Sequence, residues 1–276
     1  MRAASGLSSR TRASAHASLW WQVARRSYLR MSTYRAATAA GVFTNSVFGF
    51  LRAYVFLAVL DARPGLAGYD AAEIVTYTFV TQGLLATVYA FGNTEIAERI
   101  RTGDIVSDLY RPVDFQGYWL ATDIGRFAFQ LVFRGVPPVL IGALAFDLAL
   151  PSDAGTWVAF LVSTCLAVVV SFGVRFLAAL SGFWMLDTRG VEQMTAMVAI
   201  FFAGMMVPLG FLPDGLVGVV RWLPFASMSQ LPIDLLLGDA DAVAVLARQS
   251  MWVLVLLAAG RALTHRAFRK VVVQGG

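Results

Sequence analysis

Lysine is almost missing from this chain, and histidine and cysteine are nearly as rare. The one lysine, Lys270, follows Arg269 rather than a glycine. A phosphate-cradling loop ends in Gly-Lys-Ser/Thr, so this chain cannot bind ATP in that way. The single cysteine, Cys165, excludes an intrachain disulfide framework and any multi-cysteine metal or iron–sulfur centre. His16 and His265 lie near opposite ends, which leaves no paired-histidine zinc helix. Charge is scarce as well. Of 276 residues 14% are charged and 58% hydrophobic, and the mean hydropathy is +0.67. An ordinary soluble domain is about a quarter charged. So little polar surface disfavours a soluble enzyme or a disordered chain and points to a protein embedded in a bilayer.

What is there is apolar sequence in long runs. Six stretches cover roughly 36–60, 72–93, 136–150 (with a run-up from about 118), 156–180, 191–212 and 243–262. Crossing about 30 Å of hydrocarbon takes about 20 helical residues at 1.5 Å each. Five stretches meet that length. The third is interrupted by Arg134, Pro137 and Pro138, so its helix is expected to start near Tyr118 and bend at the prolines. Residues 1–35 hold seven arginines, no acid and no apolar run of signal-peptide length. Trp20, Val23, Ala24, Ser27, Met31 and Tyr34 recur there at helical spacing, flanked by Arg25, Arg26, Arg30 and Arg35. This pattern reads as an amphipathic helix lying in the membrane interface.

Arginine placement sets the orientation. With both termini cytoplasmic, seventeen basic residues fall inside, while outer loops hold Arg63 and Arg221 only. The expected fold is therefore an all-α polytopic membrane protein. It is a single membrane domain over 1–276: a basic segment 1–35, six spans within 36–262 and a tail 263–276, located in the inner or plasma membrane. Three arginines remain inside spans. Arg52 is expected to snorkel to the outer headgroups, or else to face a pathway or pair with Glu73; Arg175 and Arg248 are expected to snorkel. No acidic residue is expected mid-span. Phe201, Phe202, Met205 and Met206 cluster in the fifth stretch, a composition that packs in cores or adapts to varied apolar ligands. Arg52, Phe201 and Met205 are the candidate pathway residues. Ser171-Phe-Gly173 and Ala203-Gly204 are expected to permit close helix approach.

Between the second and third stretches runs N-T-E-I-A-E-R-I-R-T-G-D-I-V-S-D-L-Y-R-P-V-D, residues 93–114. It is charged, yet Ile96, Ile100, Ile105, Val106, Leu109 and Tyr110 recur through it. Gly103 breaks it, Asp104 is placed to cap a short helix over 105–110, and Pro112 ends it. An amphipathic helix projected into the cytosol suits docking on another protein. Between the last two stretches, Pro213, Pro224 and Pro232 punctuate apolar patches, as in short broken helices that dip into the membrane.

The run Ile100-Arg-Thr-Gly103-Asp-Ile-Val-Ser-Asp-Leu-Tyr-Arg111-Pro112 resembles the Arg-x-Gly-acidic…Leu-x-Arg-Pro stretch of ABC-2 type permeases, in the six-span subfamily related to viologen and multidrug exporters. Pro208-Leu-Gly-Phe-Leu-Pro213, Leu223-Pro224-Phe225, Gln230-Leu-Pro232 and Leu236-Leu-Gly238 are similar to that family's last outer region. The resemblance covers about residues 20–270. It implies a non-catalytic permease subunit of an exporter, with no cofactor of its own, ATP and magnesium being held by a partner. The implied partners are two ATP-binding cassette subunits, a second permease, identical or different, and membrane lipid, with no nucleic acid. It places a coupling helix on Glu95 to Pro112, with Arg101, Asp104, Ile105, Asp108, Leu109 and Arg111 as its docking residues, and re-entrant helices over 213–240. The alternative from another class is a stand-alone ion-coupled carrier. A membrane-embedded enzyme would need a span histidine or carboxylate.

Overall fold

The computed structural model describes residues 9–88, 95–185 and 187–274. Side chains of 9–17, 109 and 270–274 are outside that description. All regular structure among the described residues is helical. Among the described residues, four helices are long and apolar enough to cross a membrane: 35–62, 115–145, 154–183 and 242–269.

Helix α1 (Ser9–Ser32) does not lie apart from the others. The stripe expected to face lipid packs on a protein neighbour, α6 (Phe115–Gln130). The Ser27 hydroxyl donates to the Thr122 carbonyl at 2.6 Å, and Tyr28 meets Phe129 edge-on. A β-carbon at Gly125 would lie 2.0 Å from the Ala24 carbonyl oxygen, so glycine alone allows this approach. Trp21, Leu29 and Tyr34 are left exposed. Tyr34 thus departs from the expected stripe, because the helix ends before it.

Helix α2 (Arg35–Ala62) and α3 (Ala71–Val88) form the centre with the third long helix. Asp70 and Glu73 cap α3 reciprocally: each backbone N–H donates to the other's carboxylate, at 2.9 and 2.8 Å. Glu73 therefore caps α3 rather than pairing with Arg52. Phe79 of α3 sits between Gly49 of α2 and Gly142 of α7 (Val136–Ala145), whose missing β-carbons make room for its ring. The expected end of the second stretch, 89–93, lies outside the described residues. After it come α4 (Glu95–Thr102) and α5 (Ile105–Leu109).

The third long helix starts at Phe115, earlier than expected, with Asp114 accepting from the Gly117 N–H at 2.7 Å. It contains a π turn over Leu131–Gly135 before α7. The cause is local. Pro137 and Pro138 have no N–H, so two ordinary i→i−4 bonds are missing, and the Val136 N–H reaches back five residues to Leu131. Asp123, Arg126 and Arg134 lie inside this helix, as a start near Tyr118 would also have them, so an acidic residue stands within a helix long enough to cross a membrane, where none was expected mid-span.

Helix α8 (Ala154–Leu180) starts at the N-cap Asp153 and packs closely along α12 (Ala242–Gln274), where a β-carbon at Gly173 would meet Leu256 at 2.6 Å. The close approach expected around Gly173 is thus present. Helix α12 continues through most of the expected tail. Helix α9 (Arg189–Phe202) stops well short of 212. Gly204 has φ +77°, so it ends the helix, and a β-carbon there would lie 2.5 Å from Gln230 Oε1 and 2.6 Å from the Tyr77 hydroxyl, so the close approach expected at Gly204 is present. Two short helices follow, α10 (Asp214–Val220) and α11 (Gln230–Leu237), the latter almost wholly buried.

Large apolar side chains stay exposed around this bundle, among them Phe43, Phe48, Leu144, Val158 and Leu254. Bare apolar surface on this scale suits contact with lipid or another subunit.

Candidate functional site

Three assemblies concern function. The first is the elbow of α4 and α5. Gly103, at φ +82°, turns the chain between them. Asp104 has αR geometry (φ −61°, ψ −20°), and its carboxylate accepts from the Thr102 hydroxyl at 2.9 Å instead of capping α5. The expected cap is thus replaced by a local side-chain bond, since an N-cap needs extended backbone to reach forward.

A residue that sequence reasoning passed over holds the elbow. Arg99 grips Asp108 with both arms of its guanidinium, Nε to Oδ2 at 2.5 Å and Nη2 to Oδ1 at 3.0 Å. Arg111 joins the same carboxylate at 3.2 Å. The bond from Asp108 raises the Arg99 pKa above its ordinary value. Ile105 packs inward with Ile96, Trp119, Phe176 and Leu180. Of the expected docking residues, Ile105 and Asp108 are therefore turned into the chain's own core. Arg101, Asp104 and Arg111 face outward, and the side chain of Leu109 lies outside the described residues. Tyr110, 84% exposed, and Val106 belong on the outward face, although neither is among the expected docking residues. The Arg101 guanidinium donates to Glu98 and holds that exposed carboxyl below its usual range.

The second assembly is a cavity of about 790 Å³ between α2, α3 and α9. Arg52, Phe201 and Met205, singled out separately in the sequence, all line it, with Met197 and Met206 beside them. The Arg52 guanidinium donates to the Met206 carbonyl at 2.6 Å and lies over the Phe56 ring at 5.6 Å. The polar groups Asn45 and Gln82 stand on the far wall, tied by the Asn45 amide donating to the Gln82 carbonyl at 3.2 Å. A largely apolar cavity with a few fixed polar groups is the ordinary form of a small-molecule site.

The third assembly lies where α11 meets α3 and the turn after α9. Gln230 is fully buried and acts as a hub. Its Oε1 accepts from the Leu209 N–H at 3.0 Å, and its Nε2 donates to Asp234 at 2.6 Å and to the Tyr69 hydroxyl at 3.2 Å. The Tyr77 hydroxyl lies 2.9 Å from Gln230 Oε1 and 2.5 Å from the Gly204 carbonyl, sharing one hydrogen between them. Arg221 reaches Asp234 at 3.4 Å. Arg248, expected to snorkel, stacks on Trp222 at 4.4 Å and donates to the Arg221 carbonyl.

No carboxylate, thiol or imidazole group of metal-binding kind forms among the described residues. No curated protein matches the sequence. Residues 47–275 match the family described as "ABC-2 family transporter protein", a span that includes the elbow, the Gln230 hub and the cavity lining except Thr44 and Asn45, and the chain belongs to that family of membrane transport components.

Proposed function

We propose that the chain is the permease subunit of an ATP-driven exporter and forms half of its translocation pathway. Six spans are assigned: α2, α3, α6 with α7, α8, α9 with the turns after it, and α12. The arginine asymmetry supports cytoplasmic termini in the inner or plasma membrane. The α4–α5 elbow then lies on the cytoplasmic side and docks on an ATP-binding cassette subunit, which holds ATP and magnesium. Two such subunits serve a pair of permeases.

The observation that carries the reading is the rigid elbow with an outward amphipathic face. Arg99 and Asp108 lock its shape from within, while Arg101, Asp104, Val106, Tyr110 and Arg111 remain for a partner. A braced elbow transmits a push from a closing ATPase dimer into α3 and α6, whereas a free loop would absorb it. The cavity beside Arg52, Phe201 and Met205 supplies the substrate-facing wall, and its Met and Phe content suits apolar or amphipathic solutes. It opens beside the exposed apolar faces of α2 and α9, which a second permease would cover.

The test is co-purification in detergent of the tagged chain with ATP-binding cassette proteins from the same genome. The native chain should retain one of them, and the Arg101→Ala/Asp104→Ala/Tyr110→Ala variant should lose it. If none binds and the chain alone moves a solute under an ion gradient in liposomes, the stand-alone carrier replaces this reading. Asp123, the carboxylate inside a long helix, gives that alternative little support, because Arg126 and Arg175 already hold its two oxygens.

A further inference from the structure

The cavity between α2, α3 and α9 holds a charge that the protein does not cancel. Arg52 lines it, partly buried, and its two contacts, the Met206 carbonyl and the Phe56 ring, are both neutral. Among the described residues no carboxylate lies within ion-pair distance of Arg52. Glu73, the partner considered from the sequence, is engaged in capping α3. A positive charge against largely apolar walls is costly until an anion meets it.

A second observation lies in the same cavity. Gln82 is only 3% exposed, and its side-chain amide makes no hydrogen bond to the protein. The Asn45 amide uses only the Gln82 backbone carbonyl. The Gln82 amide atoms are not sealed inside the fold and keep their surface toward the cavity they line. Buried amides are almost always satisfied, so this one calls for a ligand group that donates and accepts, as a hydroxyl or amide does. Asn45, bonded to Gln82, and Arg52 lie seven residues apart on α2. Two helical turns, roughly 10 Å, therefore separate the charged end from the amide end. Most of the remaining lining is apolar, Leu85, Ile200 and Phe201 included.

Met and Phe walls by themselves accept either sign of charge, since aromatic faces attract cations and alkyl chains are indifferent. Arg52 repels cations and pairs with carboxylate, sulfate or phosphate through charge-assisted bonds. We propose that this cavity binds a singly charged anionic amphiphile. Its anionic group sits on Arg52, its chain lies along the apolar wall, and a second polar group reaches Gln82. The inference deepens the pathway reading above and rests on it: the solute that passes α2 and α9 is anionic rather than neutral or cationic.

The full chain in phosphatidylcholine nanodiscs is titrated with tritiated decanoate by scintillation proximity. Unlabelled decanoate, methyl decanoate, decylammonium and ω-hydroxydecanoate compete. Decanoate should compete at least about tenfold better than the ester or the amine, as expected for a charge-assisted pair. The ω-hydroxy acid should compete about threefold better than decanoate. Arg52→Gln should erase the preference for the anion, and Arg52→Lys, which keeps the charge, should retain it. Gln82→Leu should erase the advantage of the hydroxyl and leave the anion preference intact. Equal competition by acid, ester and amine on the native chain, which needs no variant to fold, overturns the proposal. So does an unchanged anion preference in Arg52→Gln. A hydroxyl advantage that survives Gln82→Leu overturns the second contact. Adding phosphatidylglycerol to the discs separates the sources: competition supports the proposal with a bilayer lipid as the anion, and indifference supports it with a solute. A chain that retains its ATPase and shows no anion preference sinks this inference alone. A chain that prefers the anion and retains no ATPase sinks the exporter reading alone.

Discussion

Gly83 of α3 and Gly135 of the π turn meet backbone to backbone: a β-carbon at 83 would lie 2.6 Å from the Gly135 carbonyl oxygen. Backbone cannot swing aside as a side chain can. Gly83→Ala should therefore push α3 and the third helix apart and cost about 1–3 kcal/mol, the usual range for overpacking. Gly190→Ala, where no atom lies near the added carbon, should be neutral or slightly stabilising. Chemical unfolding of both variants in detergent checks the contrast.

Gln230→Leu keeps the volume of the hub and removes its chemistry. The Leu209 N–H and the Tyr69 hydroxyl lose their buried partner, while the Tyr77 hydroxyl keeps the Gly204 carbonyl. Each stranded group is costly, so the variant should lose about 2–3 kcal/mol. Tyr77→Phe should lose less, since Gln230 keeps its other partners. Unfolding curves of the two variants should fall in that order.

Arg99→Gln should separate folding from coupling. The long helices should remain intact, while α5 loses the double-armed hold on Asp108. Hydrogen exchange should rise across 105–109 with little change in α8. ATPase activity of a reconstituted complex should lose its response to substrate.

At the start of α8, the Thr156 N–H donates to Asp153 at 2.8 Å and holds that carboxyl below its usual range. A lowered carboxylate pKa stabilises the fold at pH values above the ordinary carboxylate range. That contribution fades as pH falls through the lowered value. Asp153→Asn keeps an acceptor without the charge, so the first turn of α8 should lose its acid sensitivity. Amide exchange at residues 156–158, corrected for intrinsic rates, measures this between neutral and acid pH.

Hydropathy made the long helices legible, and helical spacing picked out the inward side of α1 from Trp20 to Met31. What it left out was the identity of the covering surface, which for α1 is α6 and its Gly125. The buried charges were misread because their partners are remote. Arg175 finds Asp123 fifty-two positions away, and no local pattern announces such a pair. Asp123 was passed over although a start near Tyr118 already set it within that helix. In the elbow, the periodic apolar positions were correct, but Gly103 rotates α5, so Ile105 and Asp108 point inward and Tyr110 outward. Helix α9 ends at Phe202 because Gly204 takes a left-handed turn beneath Tyr77 and Gln230, a tertiary event that composition does not record.

The π turn at 131–135 also sets the phase of the third helix. A π turn carries one residue more than the α-helix it interrupts, and each residue advances an α-helix by about 100°. The segment before the turn shows its buried side to α1 and α8, and the segment after it shows a buried side to α2 and α3. One inserted residue thus works as a phase shifter that lets a single rod serve two different bundles. Deleting any one residue there would bring both halves into a common phase, carry Gly142 away from Phe79, and leave one of the two bundles without its mate.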